Sequence, residues 1–543
     1  MKKKIMVGGA WPYANGSLHI GHMAALVPGD IIARYHRANG DEVIYVSGSD
    51  CHGTPISIRA KKDNVQPEEI ANKYHEEFVD CFKRLNFTYD KYANTMHPFH
   101  KKFVKDFFSA LIENGSFYEK EENQVYCEHC NQFLPDRYVN GICPNCGSEA
   151  RGDQCDNCGS LFEPDKLKDI KCAICGNSPI LKPSKQLYLD MHAHISELSD
   201  FVSLHKEWRF NAINESEKYI KDGIQDRAAT RDLDWGIDVP KEGYDGKKIY
   251  VWFDAVLGYL SMVKLHCEEL GIEFEEFWNN SKHYYIHGKD NIPFHTIILP
   301  SLLLSHGNLH LPDMVISSEY MTLEGRKIST SKNWAIWIPY LLDNYDSDLI
   351  RLYFIAYGPE SKDSDFSWNN FINFHNSQLV GAYGNFVNRT LAFINKYNDH
   401  IVYNGKIDEK VREKIEMTYN EVAANIESGN FRSAIAAVFQ LVDFGNKYYD
   451  EKKPWVTRVE DIEDCGNTIY NCVQLVANLA VILHPFIPTS SETVEKWFNI
   501  DNIWQIKTIP AGYKLPDISV LFQRIDKKKI EEEVEKLKKG SAN

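Results

Sequence analysis

The sequence predicts an α/β protein, a parallel sheet split by a cysteine-rich insertion and followed by an α-helical bundle. Three observations predict it. Short apolar runs that end in polar, glycine-containing turns, each followed by a helical pattern, occur both before residue 117 and after residue 230. Between them the chain turns rich in Gly, Asn, Asp and Cys and loses regular periodicity. From about Phe371, apolar residues recur at helical spacing nearly to the end.

Lys4-Ile5-Met6-Val7 reads as a short buried strand, and Met23-Ala24-Ala25-Leu26-Val27 opens a helix. The turn between them runs from Trp11 to His22 and carries Gly16 and Gly21. It lies where α/β sheets bind phosphates, because a helix N-terminus offers unpaired N–H groups and a partial positive charge. His19 and His22, three apart, are expected on one side of the first helical turn, where both reach a polyphosphate and stabilise charge developing at phosphorus. Asn15 and Gly16 suit a sharp turn and a close backbone approach.

A second buried strand, Glu42-Val43-Ile44-Tyr45-Val46, ends in Ser47-Gly48-Ser49-Asp50-Cys51-His52-Gly53-Thr54-Pro55. Polar residues at the carboxyl end of a strand stand where open α/β sheets bind ligands. Asp50 is placed to hold an ammonium group or, on the residues alone, to cap a turn. Residues 67–115 read as helical, with Phe78, Cys81, Phe82 and Leu85 on a core face.

Eight of the 13 cysteines form four Cys-x2-Cys pairs: Cys127/Cys130, Cys143/Cys146, Cys155/Cys158 and Cys172/Cys175. Each such turn presents two thiolates to one ion, and two turns complete a tetrahedral Zn²⁺ site, so the spacing predicts two structural zinc sites and no disulfides. A zinc-dependent nucleic-acid module is the other reading of this segment.

The sheet pattern returns with Lys248-Ile249-Tyr250-Val251-Trp252-Phe253, read as a strand running into residues 254–259. Tyr284-Tyr285-Ile286-His287 is another strand, ending at Gly288-Lys289-Asp290. Val315-Ile316 follows, then a basic, glycine-containing loop over residues 323–332, expected to be mobile and exposed. Residues 435–449 and 468–483 carry bundle-type periodicity, and 527–539 form a charged helix or frayed tail.

With 543 residues the chain holds several domains and ample core. Its formal charge of −15 argues against a surface coated in basic residues, though a local basic face can still bind phosphates. No uninterrupted apolar run reaches the length of a bilayer span, and the apolar segment behind the basic N-terminus is too short for a signal peptide. The expected location is the cytoplasm, with no membrane partner.

The block from Pro12 to His22 resembles the first signature of class I aminoacyl-tRNA synthetases and, within them, of the methionyl-tRNA synthetases. Lys327-Ile328-Ser329-Thr330-Ser331 is similar to the second signature, usually Lys-Met-Ser-Lys-Ser; Val251 to Tyr259 resembles the methionine-pocket segment; Gly288-Lys289-Asp290 with His295 looks like the nucleotide and substrate segment; Asn385-Phe386-Val387-Asn388-Arg389 and Pro454-Trp455 resemble anticodon-reading elements. The resemblance runs from about Ile5 to the terminal helix. It implies a split Rossmann-like catalytic domain (residues 1–116 and 231–320) around a zinc-knuckle insertion (117–230). A signature-loop region (321–370) and an α-helical anticodon-binding domain (371–543) follow.

It also implies ATP-dependent attachment of methionine to tRNA(Met) through methionyl-adenylate, with Mg²⁺ accompanying ATP. His19, His22 and Lys327 would be catalytic. Asn15, Gly16, His19, Gly21, His22, Gly288, Lys289, Asp290, Lys327, Ser329, Thr330 and Ser331 would bind ATP. Trp11, Tyr13, Asp50, Arg231, Trp252, Val256, Tyr259 and His295 would bind methionine, with Asp50 on the α-ammonium and oriented by Arg231. Asn385, Arg389, Pro454 and Trp455 would read the anticodon. Nested pairing of the knuckles is expected, 143/146 with 155/158 and 127/130 with 172/175; sequential pairing is the alternative.

Trp11 stands where leucine or isoleucine is usual, and Thr330 replaces a lysine, for which Lys332 is a candidate substitute. No long editing insertion and no appended oligonucleotide-binding domain are visible, so a monomer is expected. A cysteinyl enzyme would carry a zinc-ligand cysteine near the first signature, where Cys51 is the nearest candidate. A catalytically silent tRNA-binding paralogue is disfavoured by intact His19, His22, Asp50 and Lys327.

Overall fold

A computed structural model describes residues 2–540 except 153, 154, 156, 159, 161, 163, 308, 331 and 332. Strands β1 (Lys4–Gly9), β2 (Glu42–Ser49), β3 (Lys91–Asn94), β4 (Ser281–Gly288) and β5 (Met314–Ser318) form a parallel sheet in the order β5-β4-β1-β2-β3. Successive side chains leave a strand on opposite faces. Ile5 and Val7 accordingly join the core containing Val27 and Ile31 of helix α1 (Ile20–Ala38), whereas Met6 joins the core containing Phe253 and Leu257 of helix α2 (Val251–Leu270). The order reverses between β1 and β4, which opens a crevice at their carboxyl ends.

Two elements depart from the sequence reading. Residues 67–115 are not continuously helical: β3 lies between helices Pro67–Arg84 and Pro98–Glu113. It is a short, half-buried edge strand without the apolar alternation that marks a buried one. Residues 248–253 are not a single strand: only Lys247–Ile249 is extended, antiparallel to Thr230–Asp232, and α2 begins at Val251. An apolar run this short reads equally as a buried strand or a buried helix turn.

The insertion hangs on a long antiparallel ribbon of Phe117–Cys127 and Ile180–Leu189. The basic loop contains a hairpin, Met321–Leu323 with Arg326–Lys327, turned by Glu324 and Gly325 at positive φ (47° and 74°) and paired on its other side with Ser364–Phe366.

Helices Glu409–Glu427, Phe431–Lys452, Ile462–Leu483 and Pro488–Phe498 form the bundle. Contrary to expectation, Ile462–Leu483 is long and apolar enough to cross a bilayer; nearly all of it is buried, and it is the central helix of the bundle. Residues 499–527 carry no helix and run back over the body, where Trp504 N–H donates to Ala38 O (2.8 Å). The last helix, Lys528–Lys538, docks through buried Glu533, which accepts from the hydroxyls of Tyr340 (2.6 Å) and Tyr345 (3.1 Å). Arg351 ties the parts together: fully buried, it pairs with Asp30 of α1 (2.7 Å) and donates to the carbonyls of Leu85, Pro485 and Phe486.

Candidate active site

The turn from β1 to α1 builds the first half of the site. His19 is the N-cap of α1 and not a helical residue. Gly21 N–H donates to His19 Nδ1 (3.1 Å), and His19 N–H donates to His22 Nδ1 (3.0 Å), a reciprocal capping arrangement that brings the two rings to 3.9 Å. A Cβ on Gly21 would lie 3.0 Å from the His19 ring, so glycine is what lets the imidazole fold over the turn. Gly16 does not have that role: its φ is not positive and the space beside it is open. Asn15 offers its carbonyl to Arg59 Nη1 (2.9 Å).

Burial pulls His19 well below the usual imidazole range, helped by His22, and pulls His22 down to about 4. Both rings are therefore neutral near pH 7. With each Nδ1 accepting a backbone N–H, the proton of each ring sits on Nε2.

The segment after the basic loop is bonded to this turn: Ile20 N–H donates to Ile336 O (3.1 Å) and Ile338 N–H to Leu18 O (2.8 Å), while the Ile328 side chain of the loop comes within 3.8 Å of the position a Gly21 Cβ would occupy. Lys327 is exposed. Ser329 and Trp334 exchange two backbone hydrogen bonds of 2.9 Å, and exposed Thr330 accepts Asn333 N–H (3.1 Å). Ser331 and Lys332 lie outside the described residues.

Beside the turn, aromatic rings pack against one another. Trp252, Val256 and Tyr259 share one face of α2. The Tyr13 ring meets Trp252 edge-on at 5.7 Å, and Trp252 stacks on Phe294 at 4.0 Å. Tyr259 O–H donates to His295 Nε2 (2.9 Å), and His295 Nδ1–H donates to Asn291 O (2.8 Å). Burial holds His295 at about 4, so this wall is uncharged. His295 sits in a π-helical segment, Phe294–Ile298, a distortion common at functional sites. Trp11 lies between β2 and α2: a Cβ on Gly48 would come 2.4 Å, and one on Gly258 2.5 Å, from its ring. Gly53 makes the same room for Tyr13 (2.4 Å). The large residue at position 11 is thus matched by two glycines far away in sequence.

Asp50 is buried and accepts His52 N–H (3.2 Å). Burial, and then the charge of Asp254, push its carboxyl well above the usual range. Arg231 Nη1 donates to the carbonyls of Ala228 (2.7 Å) and Thr230 (3.0 Å), and its guanidinium lies over Tyr250 at 4.0 Å. Sequence reasoning assigned no role to His52, His100 and Asp254, which meet beneath Asp50. The signal within reach was His52-Gly53 directly after Asp50 and Asp254 directly after Trp252-Phe253.

At the end of β4, Gly288 has open space beside it. Lys289 pairs with Glu319 (2.6 Å) and Asp363 (3.2 Å) and lies over the Tyr320 ring, whose hydroxyl donates to Asp290.

The cysteines form two groups of four in the nested arrangement: Cys143, Cys146, Cys155 and Cys158, and Cys127, Cys130, Cys172 and Cys175. Sulfur separations of 3.5 Å (Cys127–Cys175), 3.9 Å (Cys130–Cys172), 3.8 Å (Cys143–Cys158) and 3.6 Å (Cys146–Cys155) match the roughly 3.8 Å that tetrahedral Zn–S bonds of about 2.3 Å require. Backbone N–H groups of Ser148 and Asn177 bring the Cys146 and Cys175 thiols down to about 6, while burial raises those of Cys130, Cys155 and Cys172. Both groups could hold zinc.

In the bundle, Asn385 is exposed at the start of helix Asn385–Tyr397. Arg389 pairs with Asp450 (2.8 Å), donates to Asn446 O (2.7 Å) and lies over Tyr449 (4.2 Å). Pro454 is buried at the first position of helix Pro454–Glu460, and Trp455 is 49% exposed, 5.9 Å from Tyr449.

Two family models match the chain: class I tRNA synthetases (M) over residues 5–391, and the anticodon binding domain of methionyl tRNA ligase over residues 402–541. A methionine–tRNA ligase of Alkaliphilus oremlandii is 51% identical over 540 residues, 98% of this chain and 99% of its own. One of Bacillus cereus is 51% identical over 539 residues, with the same coverage. The fold also matches the methionyl-tRNA synthetase of Mycobacterium tuberculosis in complex with methionyl-adenylate. The TM-score is 0.81 at 21% identity, covering 96% of this chain and 100% of that one.

Proposed function

The chain belongs to the class I tRNA synthetases of the methionine type, and from that premise we propose that it joins methionine to tRNA(Met) in two steps. A carboxylate oxygen of methionine attacks the α-phosphorus of ATP, the bond from that phosphorus to the bridging oxygen breaks, and pyrophosphate leaves. A hydroxyl of the terminal ribose of the tRNA then attacks the acyl carbon, the acyl–phosphate bond breaks, and AMP leaves. The substrate is its own nucleophile, so the protein contributes positioning and charge stabilisation.

His19 and His22 act as neutral donors through Nε2–H to the phosphates, and exposed Lys327 supplies the positive charge from the loop beside their turn. Asn15, Gly16, Gly21, Gly288, Lys289, Asp290, Ser329, Thr330 and Ser331 line the nucleotide. Mg²⁺ bound with ATP would neutralise part of the triphosphate charge. Asp50 takes the α-ammonium. Trp11, Tyr13, Trp252, Val256, Tyr259 and His295 surround the thioether, for which ring edges and uncharged groups are suited; Arg231, which lies over the Tyr250 ring, orients Asp50. Cys143, Cys146, Cys155 and Cys158 would hold one zinc ion and Cys127, Cys130, Cys172 and Cys175 a second, each bracing its knuckle, and Asn385, Arg389, Pro454 and Trp455 meet the anticodon loop.

The observation that carries this reading is the pair of capped imidazoles, each with Nδ1 occupied by a backbone N–H, in the same turn as Tyr13, which pairs with the buried acid Asp50 and meets the Trp252 ring. ATP–pyrophosphate exchange measured across a panel of amino acids tests it. Methionine should drive exchange best, with homocysteine, one methyl smaller, the main competitor, since one methyl is worth only about 1–3 kcal/mol. Exchange driven best by any other amino acid would sink the assignment.

A further inference from the structure

Beneath Asp50 lies a second carboxylate, Asp254. It is fully buried and takes two imidazole donors, His52 Nδ1–H to Oδ2 (2.7 Å) and His100 Nε2–H to Oδ1 (2.6 Å). His100, also fully buried, is fixed through its other nitrogen by Ser261 Oγ (2.8 Å). His52 connects the two acids, because its side chain serves Asp254 while its backbone N–H serves Asp50. The Nε2 of His52 is buried with no partner. Against the cost of burial, the imidazoles of His52 and His100 hold Asp254 below the usual carboxylate range, while burial and then Asp254 push Asp50 above it. Two acids sharing one buried site call for a cation to complete it.

We propose that Asp254 is a positioning residue of the amino-acid pocket: held by His52 and His100, it aims the Asp50–His52 segment and sets a second negative charge behind Asp50, so that the pocket selects a substrate with a protonated α-amino group. This rests on the reading of Asp50 as the ammonium contact. The Tyr259–His295 pair is uncharged, so charge selection falls to the two acids.

The test compares dissociation constants, by equilibrium dialysis on the full chain, for methionine and for methylthiobutanoate, the same thioether acid without the amino group. The ratio of the two isolates the ammonium interaction. Asp50→Asn should lower that ratio by about a hundredfold. Asp254→Asn should lower it by about tenfold, with binding of methylthiobutanoate unchanged. A merely loosened pocket would weaken both ligands alike. If thermal unfolding shows that Asp254→Asn does not fold, His100→Asn keeps the carboxylate and removes one of its donors, and the ratio should fall by a smaller factor. An unchanged ratio in the variant that can be assayed, with Asp50→Asn effective, overturns the role of Asp254 alone. An unchanged ratio in Asp50→Asn overturns the ammonium site on which it rests.

Discussion

In the crevice, the polar groups of His19 and His22 stand on a core that includes Ile5, Val7, Val27 and Ile31, and each ring is braced by a backbone N–H of its own turn. In the insertion, the knuckle cysteines stand on a small core: among the described residues Val125, Leu134, Tyr138, Val139, Ala150 and Leu167 are its buried non-cysteine members, and Cys146 and Cys158 are exposed. The two regions place polar groups equally closely but by different means. Packing prearranges the crevice whether or not a ligand is bound, whereas mutual repulsion of thiolates would make the knuckles depend on an ion to join them.

Chelation should break that comparison most visibly. Structural zinc in small knuckles binds with about 10–16 kcal/mol, all of it folding energy where the core is small. Removing zinc should erase amide hydrogen-exchange protection over residues 127–175 and leave β1 and β4 protected. Equal loss in both regions would mean that the sheet, too, leans on the metal. Within the crevice, Lys327→Ala should reduce the rate of pyrophosphate exchange by about 10²–10³-fold. Methionine affinity should stay nearly constant, because the contact forms chiefly in the transition state. A parallel loss of affinity would place Lys327 in ground-state binding.

His19→Asn separates bracing from chemistry. Asparagine caps a helix well, so thermal stability should move by only a few tenths of a kcal/mol, while exchange falls by about 10²-fold with the loss of the Nε2–H donor. A large drop in stability would make the ring chiefly structural. Gly258→Ala should sharpen the packing side: its Cβ falls 2.5 Å from the Trp11 ring, at a cost of about 1–3 kcal/mol, together with weaker methionine binding. Gly258→Ala combined with Trp11→Leu should recover the stability. Trp455→Ala lies outside both regions. It should weaken aminoacylation by about 1–3 kcal/mol through a lost base–aromatic stack and leave exchange untouched; loss of both would make Trp455 a packing residue.

The turn from Trp11 to His22 and the four cysteine pairs were legible because their chemistry is local: a capped helix start and a two-thiolate turn each need only neighbours in sequence. Even there the detail differed, since His19 caps α1 from outside it instead of sitting on its first turn. The edge strand β3 and the start of α2 were not legible, because a few half-buried residues, or a short apolar run, carry no period that distinguishes strand from helix. The apolar helix Ile462–Leu483 shows the same limit, since composition reports that it must be buried but not in what.

By itself, then, the sequence determined the α/β class, the order of the motifs, the glycine-containing turn before α1 and the grouping of thiols into metal-type pairs, because helix starts, strand runs and Cys-x2-Cys turns are set by interactions within a few residues. Only the tertiary structure decided that Trp11 lies between Gly48 and Gly258, that Ile328 reaches Gly21, and that Asp254 joins His52 and His100 beneath Asp50. Those contacts join segments tens to hundreds of residues apart, and they exist only because the parallel sheet brings the carboxyl ends of β1, β2 and β4 to one crevice and lays the start of α2 beside them.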